Sequence, residues 1–263
     1  MRITFIRIFL LNIKLSISRA IQYRADFFIN FFLAVTLSSV APVIQYLIFT
    51  RTKGYPGWTI EQIILFQGCL LLWGGIKNTL FGQIRIKMNQ FVQKGQLDKL
   101  LLKPYPVIGS ILSDGFNMSS AGTIIAGIAI IIYSVHKLSL HITAMQILFL
   151  ISVYMAGIIF YSSVLIFFCS VNILIVFIGR LGDIFDKLMQ FSEYPVEIFP
   201  EVGRFIFVTI IPIAVWIYFP AQVLLNRFEM TNLFYLFFFC ISSACGSLLI
   251  WHYALKKYTS AGG

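Results

Sequence analysis

Charged residues are scarce in this sequence, and their scarcity excludes a soluble protein. Asp, Glu, Lys and Arg make up 11% of the 263 residues, whereas a soluble domain carries about 25%. Hydrophobic residues make up 59%, and the mean hydropathy is +0.89. Several apolar runs reach the roughly 20 residues that a helix needs to cross a bilayer. They lack the apolar/polar alternation of β-barrel strands, so the sequence predicts an all-α polytopic membrane protein.

Motifs that bind nucleotides or carry out catalysis are also missing from the sequence. It has no G-x-x-x-x-G-K-[ST], no H-E-x-x-H and no G-x-S-x-G, which mark phosphate loops, zinc proteases and serine hydrolases. The four cysteines have no C-x-x-C spacing, which favours reduced core residues over disulfides or a metal site. We therefore expect no enzymatic activity, no metal and no cofactor in this chain. Any ATP-driven activity would need ATP and Mg²⁺ on a partner subunit.

Long apolar runs predict where the chain crosses the membrane. Residues 1–26 carry five Arg and Lys side chains spread among apolar residues, and we interpret them as an interfacial helix on the cytoplasmic surface. Residues 27–263 then form the transmembrane domain. The predicted spans are 27–50, 60–81, 111–135, 144–170 and 233–253.

The region after the fourth run has two interpretations. Residues 171–201 form either a cytoplasmic loop, with 205–219 as the next span, or a fifth span at 171–194 with charges at membrane depth. Segment 179–204 holds three basic and five acidic residues, so it lacks the Lys and Arg bias of a cytoplasmic loop, and we favour the span. Residues 200–224 would then be a hairpin that enters the outer leaflet and returns. Prolines that interrupt helices support it: Pro200, Pro212 and Pro220.

Basic residues near the span ends predict the orientation of the chain. Residues 1–26 hold five, 77–103 hold six, and the C-terminal end adds Lys256 and Lys257. The loops at 50–59 and 136–143 hold three together. Since Lys and Arg mark the cytoplasmic side, both termini and the segment between spans two and three are predicted to be cytoplasmic.

An amphipathic stretch at 84–104 interrupts the apolar sequence. Ile84, Met88, Phe91 and Val92 follow helical spacing, which predicts a surface helix along the membrane. A second short apolar face follows before a proline ends the helix. The stretch has three interpretations: a plain cytoplasmic loop, a site for anionic lipid, or a docking element for a soluble partner. Its key residues are Gly95, Leu97, Asp98, Leu100, Leu101, Lys103 and Pro104.

A charged cluster follows the fourth span. Isolated charges at the bilayer centre cost about 2.5–3.5 kcal/mol each, so they are expected to pair and to face the protein interior or a wet cavity. The cluster is therefore either a structural ion-pair group, part of a loop, part of a substrate path, or a proton relay. Its members are Arg180, Asp183, Asp186 and Lys187.

Three stretches together resemble one known family. Residues 95–104, GQLDKLLLKP, fit G-x-L-D-x-L-L-L-[KR]-P. The segment YPVEIFPEVGRFIFVTIIPIAVWIYFPAQVLL fits a Y-P, [YF]-P, R, P, Y-x-P series, and the ending WHYALKKYTSAGG fits W-x-x-[AG]-L-x-x-Y-x-S-x-G. In this order, the motifs resemble those of ABC-2 type membrane permeases. Pro106 departs from the pattern, because it follows Pro104 after one residue.

The resemblance implies a six-helix half-transporter like the type V exporters, in a bacterial plasma (inner) membrane. Segment 84–104 would be a coupling helix seated in a separate ATPase subunit. The assembly would hold two ATPase copies and a second permease, identical or paralogous, surrounded by lipid and without nucleic acid. A non-transporting scaffold or sensor that docks a cytoplasmic partner is the alternative. We assign the outer gate to Tyr194, Pro195, Phe199, Pro200, Pro212 and Pro220.

Overall fold

The computed structural model describes residues 5–52, 54–84, 87, 97–102, 106–113, 115–175, 179–228 and 230–258. In these residues every regular element is helical, as the sequence predicts. The longer elements are α1 (Phe5–Gln22), α2 (Arg24–Arg51), α3 (Ile60–Phe81), α4 (Leu97–Leu101), α5 (Val107–Ser113), α6 (Ala121–Lys137), α7 (Ala144–Leu174), α8 (Gly179–Gln190), α9 (Glu201–Phe205), α10 (Tyr218–Leu224) and α11 (Met230–Lys257).

Four helices of the described chain are long and apolar enough to cross a membrane. They are Phe27–Arg51 within α2, Ile60–Phe81, Ala144–Leu174 and Leu233–Lys257 within α11. Each coincides with a predicted span, which confirms a polytopic helical membrane protein. Helix α6 is apolar but shorter, with 17 residues. Helix α1 is a separate helix before the first span, because Tyr23 leaves helical geometry between α1 and α2.

The predicted third span, 111–135, begins later than expected. Residues 107–113 form the separate helix α5, and α6 starts only at Ala121 after a 3-10 turn, Met118–Ser120. The Asn117 backbone N–H donates to the Thr79 carbonyl at 2.8 Å, which ties this connection to the end of α3. A continuous helix from residue 111 is therefore wrong, because the chain first turns back against α3.

The predicted fifth span, 171–194, is not one continuous helix. Helix α7 runs to Leu174, where Ile175 takes an extended conformation with φ −130° and ψ 95°. The charged helix α8 begins at Gly179 and has 12 residues, which reach about 18 Å at 1.5 Å per residue. That is shorter than a hydrocarbon core of about 30 Å.

Helices α3 and α6 pack closely because glycines lie at their contact. A Cβ on Gly75 would lie 2.7 Å from the Ile124 backbone N, and one on Gly127 would lie 2.5 Å from the Leu72 backbone N. Small residues permit such close approach of membrane helices. Helix α11 packs on α7, and the Cys240 Sγ lies 3.3 Å from the Ala156 carbonyl oxygen.

Residues 201–224 form a broken helical segment, as expected for a proline-rich stretch. Helix α9 continues into a π-helical turn, Ile206–Ile210, and the helix stops before Pro212. Side chains of α9 are largely exposed, whereas those of residues 213–217 and most of α10 are buried. The exposed arm and the buried arm are thus joined at Pro212.

Candidate functional site

A cavity of about 550 Å³ lies beside the second half of α3, and we call it the chamber. Its wall combines α3, α8, the 3-10 turn Phe191–Glu193 and parts of α7 and residue 217. Apolar lining comes from Leu70, Trp73, Phe81, Tyr161, Met189 and Ile217. Polar lining comes from Lys77, Asn78, Asp186, Gln190, Ser192 and Glu193.

Helical spacing brings these polar side chains to one place. Lys77 follows Trp73 by four residues, which puts both on the same face of α3. Asp186 and Gln190 share a face of α8 for the same reason. The 3-10 turn after α8 then adds Glu193 to the wall. An apolar helix and a charged helix thereby present one mixed surface to the chamber.

Opposite charges face each other in the chamber. The Lys77 ammonium is close enough to the Glu193 carboxylate for an attractive Coulomb interaction. Lys77 lies within a helix that is long and apolar enough to span the membrane, where an ionisable side chain is costly and marks a functional site. Among the described residues that line the chamber, the charged groups are the carboxylates of Asp186 and Glu193 and the ammonium of Lys77.

An aromatic cluster lies next to the chamber. The Trp216 ring, fully buried, stacks on Trp73 with centroids 5.7 Å apart and on Phe160 at 5.2 Å. Tyr161 meets the same ring edge-on at 6.0 Å. The Trp216 Nε1 donates to the Gly157 carbonyl at 3.0 Å. These four rings, which we call the Trp216 cluster, join the broken segment to α3 and α7.

A carboxylate joins the far end of α3 to the broken segment. The Glu197 Oε2 accepts from the Trp58 Nε1 at 3.0 Å, and its Oε1 accepts from the Tyr218 hydroxyl at 2.6 Å. Trp58 lies just before α3 and Tyr218 begins α10. The Arg227 guanidinium lies over the Trp58 ring at 6.0 Å.

The residues assigned to the outer gate have different environments. The Tyr194 ring meets Tyr55 edge-on at 6.5 Å, and Phe199 meets Phe207 at 5.0 Å. Pro200 is exposed before α9. Three prolines are buried: Pro195, Pro212 and Pro220.

Two members of the charged cluster that the sequence singles out have described side chains, Asp186 and Lys187, and both are exposed. Asp186 lines the chamber, whereas Lys187 lies outside its lining. The side chains of Arg180 and Asp183 lie outside the described ones. Sequence reasoning missed Lys77 as a lining residue, although a lysine inside an apolar span is itself a signal.

The predicted coupling segment is partly buried in its own chain. Leu97 is 0% and Leu100 4% exposed, and both belong to the hydrophobic core. Leu101 is 42% and Leu102 86% exposed. Leu97 and Leu100 therefore pack inside the chain, whereas Leu101 and Leu102 are the exposed leucines of this segment. Three residues of this assignment lie outside the described ones: Gly95, Lys103 and Pro104.

The predicted coupling segment contacts the end of the last helix, although the two are far apart in the sequence. Burial raises the pKa of the Tyr258 hydroxyl, and the neighbouring Asp98 carboxylate raises that pKa further. Tyr258 follows the last helix, and Asp98 lies in α4. The predicted coupling segment and the C-terminal end of the last helix are thus in contact.

Comparison with known proteins gives one match over most of the chain. A family model described as "ABC-2 family transporter protein" matches residues 33–262. No curated protein and no solved structure matches. The matched range includes the chamber, the Trp216 cluster and the predicted coupling segment. The chain therefore belongs to the ABC-2 family transporter proteins, the membrane permeases of ABC transporters.

Proposed function

We propose that this chain is the permease subunit of an ATP-driven exporter and that the chamber is part of its substrate path. The observation that carries the proposal is a cavity that is lined by ionisable side chains and borders the membrane-capable helix α3, in a chain that has no nucleotide-binding motif. Such groups within membrane spans mark substrate or ion pathways. The energy would come from ATP and Mg²⁺ on a separate subunit.

Contacts along α3 support a discontinuous fifth crossing. Asp186 lines the chamber together with Phe81 at one end of α3, and Glu197 bonds Trp58 at the other end. The stretch between residues 186 and 197 therefore runs along α3, although α8 itself is too short to span. With α6 as the third crossing, the chain makes six passes, and residues 201–224 form the outer re-entrant hairpin.

On this topology the chamber faces the cytoplasm. The lining residues of α3 run from Leu70 to Gly82, which is the half nearer to the cytoplasmic segment. The Trp216 cluster lies on the outer side of the chamber and closes it. Export requires the reverse arrangement, in which the cluster parts and the cytoplasmic side closes. Two ATPase subunits that close on ATP would drive this change in a pair of permeases.

The driving motion would enter through α4 and Leu102. Because Leu97 and Leu100 belong to the chain's own core, α4 moves as part of the transmembrane bundle. The exposed side chains of Leu101 and Leu102 are available to an apolar cleft of the ATPase. Contact between Asp98 and Tyr258 carries the same movement to α11.

Reconstitution with a P-loop ATPase from the same genome tests the proposal. The full chain and the ATPase should co-purify, and inverted vesicles should show ATP-dependent uptake of a fluorescent amphiphile. An ATPase whose P-loop lysine is replaced should support co-purification without uptake. Stable co-purification with no ATP-dependent movement of any member of a chemically diverse panel would contradict the transporter and favour the scaffold or sensor.

A further inference from the structure

We propose that a second cavity, which we call the groove, binds one phospholipid and prefers a headgroup that carries N–H donors. The groove measures about 370 Å³. Among the described lining residues, none is shared with the chamber, so the proposal does not depend on the substrate path. Three observations carry it: the apolar surface around the groove, its depth in the bilayer, and two backbone carbonyls without their helical donors.

The groove lies between the broken segment and the first turns of α11. Its lining is mostly apolar, and no charged side chain belongs to it among the described residues. The broken segment contributes Val208, Thr209 and Pro212, and α11 contributes Tyr235, Leu236 and Phe239. A cavity with such a lining favours apolar groups, and its volume lies in the range of about 300–1,000 Å³ that suits small ligands.

The surface around the groove faces lipid. Phe234 is 73% exposed, Tyr235 76% and Phe238 74%, and all three belong to a helix that is long and apolar enough to cross the membrane. In a bilayer their rings contact acyl chains, so the groove opens toward lipid. A helix of a second permease, about 10–12 Å wide with its side chains, would lie over the groove and not in it.

The groove lies at headgroup depth. Residues 235–239 occupy the first two turns of the span Leu233–Lys257, so they lie within about 10 Å of its end at 1.5 Å per residue. Tyr235 fits this position, because tyrosines are enriched where the membrane meets water. A lipid in the groove therefore brings its polar end, and not its terminal methyl groups, to the broken segment.

Two backbone carbonyls beside the groove lack the donors that a regular helix supplies. The Ile211 N–H donates to the Ile206 carbonyl at 2.8 Å, so this π-type bond passes over the Phe207 carbonyl. The Val208 carbonyl has no donor four residues later, because Pro212 has no N–H. Among the described residues, no other backbone N–H donates to either carbonyl. Such groups persist at membrane depth where they line a cavity that supplies a partner.

The chemistry of these carbonyls selects the headgroup. A carbonyl oxygen only accepts hydrogen bonds, so the ligand must donate. The ammonium of phosphatidylethanolamine has three N–H donors and forms strong, charge-assisted bonds. Phosphatidylcholine carries the same charge but has no N–H. The hydroxyls of Thr209 and Tyr235, which also belong to the lining, can donate to the phosphate or ester oxygens of the lipid.

A methylation series of one headgroup tests the donor preference. Phosphatidylethanolamine, its N-methyl and N,N-dimethyl derivatives and phosphatidylcholine, all with the same acyl chains, lose one N–H at each step while the charge stays constant. Native mass spectrometry measures their binding to the full chain released from detergent micelles. Phosphatidylethanolamine should bind at least about tenfold more tightly than phosphatidylcholine, the effect of one hydrogen bond to a charged group. Equal binding across the series, or the reverse order, would overturn the proposal.

Pro212→Ala tests the role of the carbonyls. The new N–H can donate to the Val208 carbonyl as in a regular helix, so this carbonyl no longer needs a ligand. The preference for phosphatidylethanolamine over phosphatidylcholine should fall at least about threefold, because one of the two acceptors is lost, while phosphatidylcholine binding stays unchanged. An unchanged preference, or equal weakening of both lipids, would overturn the assignment of the headgroup to these carbonyls.

Two phenylalanine substitutions test whether the lipid occupies the groove. Thr209 is exposed and lines the groove, whereas Val202 is exposed on the same broken segment but outside the lining. Thr209→Phe should fill the cavity and weaken phosphatidylethanolamine binding about tenfold, the loss of about one well-made contact. Val202→Phe is the matched control and should leave binding unchanged. Circular dichroism and the unfolding midpoint verify that both variants fold. Full binding by Thr209→Phe would place the lipid elsewhere and overturn the proposal.

Discussion

The Tyr218 hydroxyl donates a hydrogen bond of 2.6 Å to the Glu197 carboxylate. Trp58 donates to the other oxygen of the same carboxylate at 3.0 Å. The Glu197 side chain thereby connects the start of α3 with the start of α10. Trp58 lies 139 residues before Glu197 in the sequence, and Tyr218 lies 21 residues after it. We expect it to hold the outer end of the bundle in one arrangement.

Replacing Glu197 should loosen this end without removing the fold. Glu197→Ala leaves two buried or half-buried donors without their acceptor and should cost about 1.5–3 kcal/mol of unfolding free energy. Glu197→Gln keeps one acceptor oxygen and should cost about 1 kcal/mol. SDS-induced unfolding in mixed micelles measures both. Glu201→Ala, at an exposed position, is the control. Equal stability of Glu197→Ala and this control would show that the connection contributes nothing.

Two adjacent glycines of α3 should respond oppositely to the same substitution. Gly75→Ala puts a methyl group 2.6 Å from the Ile124 side chain and 2.7 Å from its backbone N, whereas a Cβ on Gly74 meets nothing within 4 Å. Overpacking should cost Gly75→Ala roughly 1–3 kcal/mol. Gly74→Ala should gain about 0.5–1 kcal/mol, because alanine favours a helix interior over glycine. Thermal unfolding of the purified chain compares them, and a similar loss in both would contradict close packing of α3 on α6.

The spans that the sequence predicts correctly are those that are apolar on every face. Residues 27–50, 60–81, 144–170 and 233–253 carry this signal themselves, so periodicity and length suffice. The sequence places the start of α6 too early, because the residues of α5 before it are largely apolar too. Helix α5 ends at Ser113, and the bond from the Asn117 N–H to the Thr79 carbonyl, a tertiary contact that no local pattern reveals, ties the following connection to α3.

Site residues were harder to predict because the chamber combines separate segments. Asp186 stood out as a charge in an apolar context, and it lies in the wall. Lys77 gives an equal signal, but its position near the end of a predicted span also fits a cytoplasmic charge. Leucine spacing predicted that one face of α4 is apolar, but it cannot tell a face buried in the same chain from one offered to a partner.

Trp216 should seal the chamber on its outer side. Trp216→Ala removes the indole that stacks on Trp73 and Phe160. This should lower the unfolding free energy by about 3–5 kcal/mol and make proteoliposomes leak a trapped small dye. Trp216→Phe keeps a stacking ring and loses the N–H donated to Gly157. It should cost about 1 kcal/mol and remain tight. Leakage through the wild type equal to that through Trp216→Ala would show that the cluster is not a seal.

The same substitution at Leu102 and at Leu97 should distinguish a loss of partner docking from a loss of folding stability. Leu102 is 86% exposed and Leu97 is 0% exposed, although both are leucines of the same predicted coupling segment. An aspartate at an exposed site costs little stability but would place a charge in the apolar cleft that we propose in the ATPase. Leu102→Asp should therefore abolish co-purification of the ATPase while the permease keeps its unfolding midpoint.

Leu97→Asp buries an unpaired carboxylate in the core, so it should lower the stability of the permease by several kcal/mol before any effect on docking. Leu102→Ala is the conservative control and should weaken docking without abolishing it. Affinity capture and unfolding are measured on the same preparations. Full capture by Leu102→Asp would exclude this side chain from the interface. Loss of stability in Leu102→Asp equal to that in Leu97→Asp would mean that its exposure in the isolated chain does not reflect a free surface.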